Sequence, residues 1–348
     1  MEVLLEYWQL ALTSFLASVV GVLLALKLFP KIGLMDRPER YGLTRKPIPY
    51  YGGVMIFVVF AIMVFSFVPV GKSMLGLMMG AGLVALLGFL DDLLNLSPLL
   101  RLFVQFLAGL TLVLAGVYIF SINLPFFGVL DFTLWEIGRV PVLAAGFTIL
   151  WVMAILNTMN FVDGVPGLSS GVSFIAGMTI FFLSTNPAIH ENPESQVPVA
   201  MIALILAMCS LAFLLFDFPK PKILMGDSGS TFLGFVIATL AIFSGGKVAT
   251  AFLVLGLPIL DMLWVVARRF LSGQKVWKGD RKHLHHRFLD LGLSERKVVI
   301  IYLSITAVLG LSASSLVSGQ QKFFMLIGLV IFMVVLALGL VFGPRRGV

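Results

Sequence analysis

Apolar residues run along this chain in long stretches separated by short polar breaks. A stretch of about 18 or more such residues is long enough to cross the hydrocarbon core of a bilayer as a helix. About eleven can be read, at roughly 3–28, 51–70, 73–90, 102–120, 140–159, 168–184, 197–216, 230–244, 248–267, 298–318 and 323–342. They predict an all-α integral membrane protein, with residues 1–348 forming one polytopic domain. No break is long enough to hold a soluble domain, and there is no repeat or low-complexity tract.

Charge sets the expected orientation. The first stretch opens Met-Glu-Val-Leu-Leu-Glu, acidic where a cleavable signal is basic, and Lys27 lies at its far end. This places the amino terminus outside. If successive breaks alternate sides, all of the 24 lysines and arginines except Lys27, Lys72, Arg139, Lys247 and Lys322 fall on one side, the carboxyl tail included. The positive-inside rule makes that side cytoplasmic. The net charge of +7 is then local to the inner surface. It suits anionic membrane lipids and anionic substrates rather than nucleic acid. The single cysteine, Cys209, lies within an apolar stretch, so no intrachain disulfide is possible.

Polar residues with chemical potential gather on the same inner breaks. The first ends in Arg45-Lys46-Pro47-Ile48-Pro49-Tyr50-Tyr51-Gly52-Gly53. Its prolines stiffen the chain, its glycines permit close backbone approach, and Lys46 is a point charge suited to phosphate or a plain anchor. The second begins at Asp91-Asp92, adjacent carboxylates that repel unless a cation or proton is shared. At a helix carboxyl end they also oppose the macrodipole. The third carries Asn157, Asn160 and Asp163 at a spacing of three, before Gly164, Pro166 and Gly167 break the helix. Such groups call for partners, in a substrate or on a neighbouring helix.

The fourth holds Gly226-Asp227-Ser228-Gly229-Ser230 ahead of an apolar helix. Asp227 or Ser228 could cap that helix; alternatively Asp227 binds Mg2+ while the helix-start N–H groups take a phosphate. The fifth, 268–297, sets His283, His285 and His286 among Arg281, Lys282 and Arg287. With no cysteine nearby and cations around it, this group suits an oxyanion or pyrophosphate better than zinc. Leu284, Phe288 and Leu291 then predict a short amphipathic helix lying on the membrane. Asp261, inside the ninth stretch, sits either at the floor of the inner cavity or against a neighbouring helix.

Taken in order, Lys46-Pro47-Ile48-Pro49 through Gly53, Asp91-Asp92, Asn157 to Gly167, Gly226 to Ser230, Pro258 to Asp261 and His283-Leu284-His285-His286 resemble the polyprenyl-phosphate N-acetylhexosamine-1-phosphate transferase family. Each motif is weakly specific alone; order and sidedness make the set specific. The interrupted histidine run and Leu291-Gly292-Leu293-Ser294 are similar to the WecA/TagO branch rather than the phospho-MurNAc-pentapeptide translocases. Three positions depart from the family pattern. Pro166 and Asn95 stand where an aspartate is common, and Thr44 stands where a histidine often precedes the basic pair.

The resemblance implies a bacterial cytoplasmic-membrane enzyme that moves a sugar-1-phosphate, GlcNAc-1-phosphate first among the candidates, from a UDP-sugar to undecaprenyl phosphate. UMP and a lipid-linked diphosphate sugar would be the products, in the first membrane step of cell-envelope polysaccharide synthesis. It implies Mg2+, with Mn2+ as an alternative, held by Asp227. Asp91 would activate the lipid phosphate with Asp92 beside it, and Asp163 would serve the nucleotide site. Substrate would be bound by Lys46, Asn157, Asn160, His283, His285, His286 and Arg287. A homodimer is left open. The competing readings are a MurNAc-peptide translocase and a secondary transporter for an anionic solute. A transporter places its site near the midplane on broken helices, often with inverted repeats, whereas the polar residues here crowd the inner ends.

Overall fold

A computed structural model describes residues 6–41, 44–124, 126, 128–190, 193–245, 248–273, 283–315 and 318–342. Helices dominate them: α1 (Trp8–Leu28), α2 (Gly52–Phe67), α3 (Lys72–Leu94) and α4 (Pro98–Leu114). After a strand-bearing connection come α5 (Val142–Val162), α6 (Leu168–Ser184), α7 (Val197–Asp217) and α8 (Asp227–Phe243). The chain continues with α9 (Val248–Val254), α10 (Gly256–Leu271), α11 (Leu284–Asp290), α12 (Glu295–Ser315) and α13 (Gly319–Phe342). A helix covers most of each apolar stretch read from the sequence, and the ninth is divided between α9 and α10. Among the described residues, 6 helices are long and apolar enough to cross a membrane, and α2, α4, α6 and α8 are apolar but shorter. The protein is a multi-pass, helical membrane protein.

The architecture leaves the all-α expectation in one place. The fourth apolar stretch predicts helix to residue 120, but α4 stops at Leu114 and Gly116 turns with φ 81°. Two short antiparallel pairs follow: β1 (Ser121–Leu124) with β2 (Gly128–Asp131), and β3 (Glu136–Ile137) with β4 (Val140–Pro141). Aromatic and β-branched residues crowd this connection and favour extended backbone over helix.

The core is centred on α8. Every residue from Ser228 to Ile242 is buried, and α2, α3, α5, α6, α7 and α9 all pack on it. A helix apolar on all sides belongs inside, and its Gly, Ser, Ala and Thr residues let neighbours come close. Trp151 of α5 ties in by donating its indole N–H to the Ala238 carbonyl at 3.1 Å. At the rim, α13 leaves Phe324, Ile331 and Val335 exposed, as a lipid-facing surface requires.

Candidate active site

The site is assembled at the first turn of α8. Gly226 turns the chain with φ 76°, and the segment before it is pinned against the entry to α2. Leu224 N–H donates to Pro49 C=O, while Gly52 and Gly53 N–H donate to the carbonyls of Leu224 and Met225, each at 2.9 Å. Glycine is required where α2 crosses α8. A Cβ on Gly53 would stand 2.0 Å from Gly229 N, and one on Gly88 of α3 would stand 2.4 Å from Ser228 Cα. The proline-stiffened first loop is held by Asp36, whose carboxylate accepts from Ile48 N–H at 2.7 Å and pairs with Arg45. Lys46 is exposed, and among the described residues its ammonium makes no hydrogen bond or ion pair.

The adjacent aspartates at the end of α3 face different partners. Asp91 accepts Leu96 N–H at 2.8 Å and one Arg101 nitrogen at 2.9 Å. The same nitrogen lies 3.7 Å from Asp227 Oδ2. Asp92 accepts the N–H of Asp227 at 3.1 Å, the N–H of Ser228 at 3.4 Å and the Tyr50 hydroxyl at 3.1 Å. Neither Asp227 nor Ser228 caps its own helix, and the expectation that both leading N–H groups of α8 await a phosphate is corrected. A carboxylate from α3 already holds them. Asn95 ends α3 in the left-handed conformation, φ 52°, which asparagine tolerates better than most residues.

Two cavities meet at these carboxylates. One, about 280 Å3, is polar and lined by Arg37, Tyr50, Asp91, Asp92, Arg101 and Asp227 among others. The second, about 270 Å3, has mainly apolar walls, with Leu87, Leu102, Phe161, Met262 and Val266. Asp91, Arg101 and Asp227 line both.

The third loop splits in role. Asn157 donates to the Gln105 side-chain oxygen at 2.8 Å and to Met153 C=O at 2.7 Å, so much of its capacity goes to the α4–α5 contact. Asn160 donates to Ser230 Oγ at 3.3 Å and lines the second cavity with Asp227. Asp163 accepts the Ser169 hydroxyl. Burial pushes its pKa well above the usual carboxylate range; Ser169 opposes this, while Asp217, Asp227 and Asp92 add to it. Asp217 was passed over in the sequence. It is buried at the end of α7 and accepts Gly167 N–H at 2.7 Å and Ser170 Oγ–H at 3.1 Å. It thereby holds the entry to α6, whose first turn presents Ser169 to Asp163.

The histidine segment is folded inward. Asp261 accepts Leu284 N–H at 2.9 Å and lies 3.1 Å from His283 Nδ1, so it anchors the start of α11 rather than flooring a cavity. His283 and His285 are buried, the latter 1% exposed, and among the described residues His285 Nε2 has no hydrogen-bond partner. That nitrogen faces Gly164, where a Cβ would stand 2.5 Å from it. Burial, with His286 and His283 alongside, pushes the His285 pKa down to about 3. His285 is therefore neutral at physiological pH. His286 and Arg287 are half-buried. Leu284 and Phe288 pack into the protein core rather than onto the membrane, leaving Leu291 exposed. Lys275, Lys278, Arg281 and Lys282, like Lys247, Arg345 and Arg346, lie outside the described residues.

The model of glycosyl transferase family 4 matches residues 74–245. A probable undecaprenyl-phosphate N-acetylglucosaminyl 1-phosphate transferase of Bacillus subtilis is 31% identical over 93% of this chain and 90% of its own length. The chain belongs to glycosyl transferase family 4, among the polyprenyl-phosphate N-acetylglucosamine-1-phosphate transferases. An undecaprenyl-phosphate alpha-N-acetylglucosaminyl 1-phosphate transferase of Yersinia pestis is 30% identical, covering 85% of this chain and 80% of the relative. A decaprenyl-phosphate N-acetylglucosaminephosphotransferase of Mycobacterium tuberculosis is 29% identical, covering 88% and 83%.

The metal expected in this family member can be tested against its carboxylates. Among the described residues, no three such side chains form a ready-made cage. Asp227 is one-third exposed at the cavity junction, with Asp91 across the same guanidinium. Mg2+ commonly takes one or two carboxylates and completes its shell with water and substrate phosphate. Asp227, with Asp91 nearby, fits that demand.

Proposed function

We propose that the protein transfers GlcNAc-1-phosphate from UDP-GlcNAc to undecaprenyl phosphate; the names of its relatives give the acceptor and the transferred group. The observation that carries this reading is the junction of a polar cavity and an apolar groove at Asp91, Arg101 and Asp227. The reaction needs a water-soluble diphosphate and a polyprenyl phosphate to meet at such a point. An oxygen of the lipid phosphate attacks the phosphorus bearing the sugar, and the bond to the bridging oxygen breaks to release UMP.

Two anions must approach each other, so positive charge at the junction lowers the barrier. Arg101 supplies it from the protein. Mg2+, when bound at Asp227, would neutralise phosphate charge and stabilise the leaving UMP. Asp91 orients the Arg101 guanidinium and stands where it can accept a proton from the lipid phosphate, whose second pKa is about 6. Asp163 and Asn160 serve the nucleotide side, with Lys46, His286 and Arg287 bearing on the donor. Neutral His285 contributes a hydrogen bond rather than charge.

The test is turnover. Purified protein given labelled UDP-GlcNAc, undecaprenyl phosphate and Mg2+ should yield UMP and a lipid-linked label, and chelator should abolish both. Transfer from UDP-MurNAc-pentapeptide instead would move the protein to the translocase branch. Uptake into vesicles without lipid product would favour a transporter.

The same reading makes the chain one bacterial inner-membrane domain of about eleven spans, with the amino terminus outside and the site facing the cytoplasm; the charge bias supports it. Ser272→Cys and Ala188→Cys, each in a Cys209→Ser background, test it. An impermeant thiol reagent on intact cells should label position 188 and spare position 272 until the membrane is opened. Labelling of position 272 from outside would reverse the orientation.

A further inference from the structure

We infer that Asp92 and Tyr50 form a fixed cap on the helix that carries Asp227, and that only Asp91 of the adjacent aspartates faces the reaction. The reaction in question is the one proposed above, and the inference rests on that reading.

The start of a helix leaves N–H groups without intrahelical partners. Usually the preceding side chain accepts from one of them. Here the preceding residue is Gly226, which offers none. A side chain cannot replace it without strain. Its φ is 76°, and a Cβ there would stand 2.6 Å from Asp92 Oδ2 and 3.3 Å from Tyr50 Cε1. The cap must come from elsewhere in the fold, and Asp92 supplies it. One oxygen accepts the Asp227 N–H and the Tyr50 hydroxyl, and the other lies 3.4 Å from the Ser228 nitrogen. A carboxylate in this place also meets the positive end of the helix dipole.

Consecutive helical residues point about 100° apart, which explains the division of labour. Asp91 turns toward Arg101 and lines both cavities, whereas Asp92 lines only the polar one. Tyr50 is steadied by edge contact with Tyr51, centroids 4.8 Å apart. Asp92 therefore fixes the backbone of Asp227 and, through it, the aim of that carboxylate. It is a positioning residue. Its task requires acceptor oxygens, and an amide retains one.

The experiment compares Asp92→Asn, Asp92→Ala, Asp91→Asn and Tyr50→Phe, reading kcat, both KM values and thermal unfolding for each purified variant. Asp92→Asn should keep kcat within about tenfold of wild type with both KM values unchanged, the scale of a weakened hydrogen bond. Asp92→Ala should unfold at lower temperature than Asp92→Asn and lose about a hundredfold in kcat through displacement of Asp227. Asp91→Asn should fall well below Asp92→Asn in kcat. Tyr50→Phe should slow the wild type several-fold, yet add nothing to Asp92→Ala. Asp92→Asn as inactive as Asp91→Asn, with the unfolding temperature of Asp92→Ala unchanged, would return Asp92 to the reaction and overturn the inference. If the wild type itself transfers no GlcNAc-1-phosphate, the functional reading fails instead. The order of unfolding temperatures still tests the cap.

Discussion

Asp227→Asn is expected to lower the rate of GlcNAc-1-phosphate transfer by about a thousandfold or more, the scale on which preorganised charge acts at a reacting phosphate. The substitution keeps the size and shape of the side chain. It also keeps the backbone N–H held by Asp92, and it sits at the tip of a helix buried all round. The fold should therefore persist and the unfolding temperature should change little. What disappears is the negative charge 3.7 Å from the Arg101 guanidinium, at the junction of the two cavities. With that charge gone, a divalent ion would lose the partly exposed carboxylate at the cavity junction, and Arg101 is left to Asp91. Initial rates across a Mg2+ titration, beside a thermal unfolding curve, check both halves of the expectation. Turnover within a few-fold of wild type at low Mg2+ would remove Asp227 as the metal-binding residue.

The long elements and the gathering of carboxylates were legible because they are written locally. An apolar stretch announces its helix whatever surrounds it, and Asp91, Asp163 and Asp227 each stand at the end of such a stretch. The roles of individual carboxylates were not legible, because their partners are distant in sequence. Asp92 caps a helix that begins at position 227, Asp217 holds the entry to one that begins at 168, and Asp261 caps one that begins at 284. Neighbouring residues give no sign of such a bond, so Asp92 and Asp261 were open to functional readings and Asp217 passed unnoticed. Arg101, Tyr50 and Ser169 escaped for the same reason. The histidine segment misled in another way. Leu284, Phe288 and Leu291 predict a helix lying on the membrane, whereas the anchoring of His283 by Asp261 turns the segment inward and puts Leu284 and Phe288 in the core.

Gly53→Ala should be the most disruptive single methyl that can be added near the site. The new Cβ would lie 2.0 Å from Gly229 N and 2.1 Å from Gly229 Cα. Both are backbone atoms of a buried helix, so no side chain can rotate away, and α2 and α8 must separate. Separation strains the Gly53 N–H bond to Met225 C=O and shifts the turn from which Asp227 projects. Overpacking of this kind costs about 1–3 kcal/mol and sometimes more. A shift of about 1 Å in a reacting group can cost about a hundredfold in rate. Gly146→Ala supplies the contrast. It also lies within a helix, but nothing stands within 4 Å of its added Cβ. There the higher helix propensity of alanine should stabilise by up to about 1 kcal/mol, with activity intact. Thermal unfolding and turnover of the two variants side by side isolate the helix contact from the general effect of replacing a glycine. If Gly53→Ala behaves like Gly146→Ala in both measurements, α2 and α8 do not meet backbone to backbone, and the placement of Asp227 must be set by other contacts.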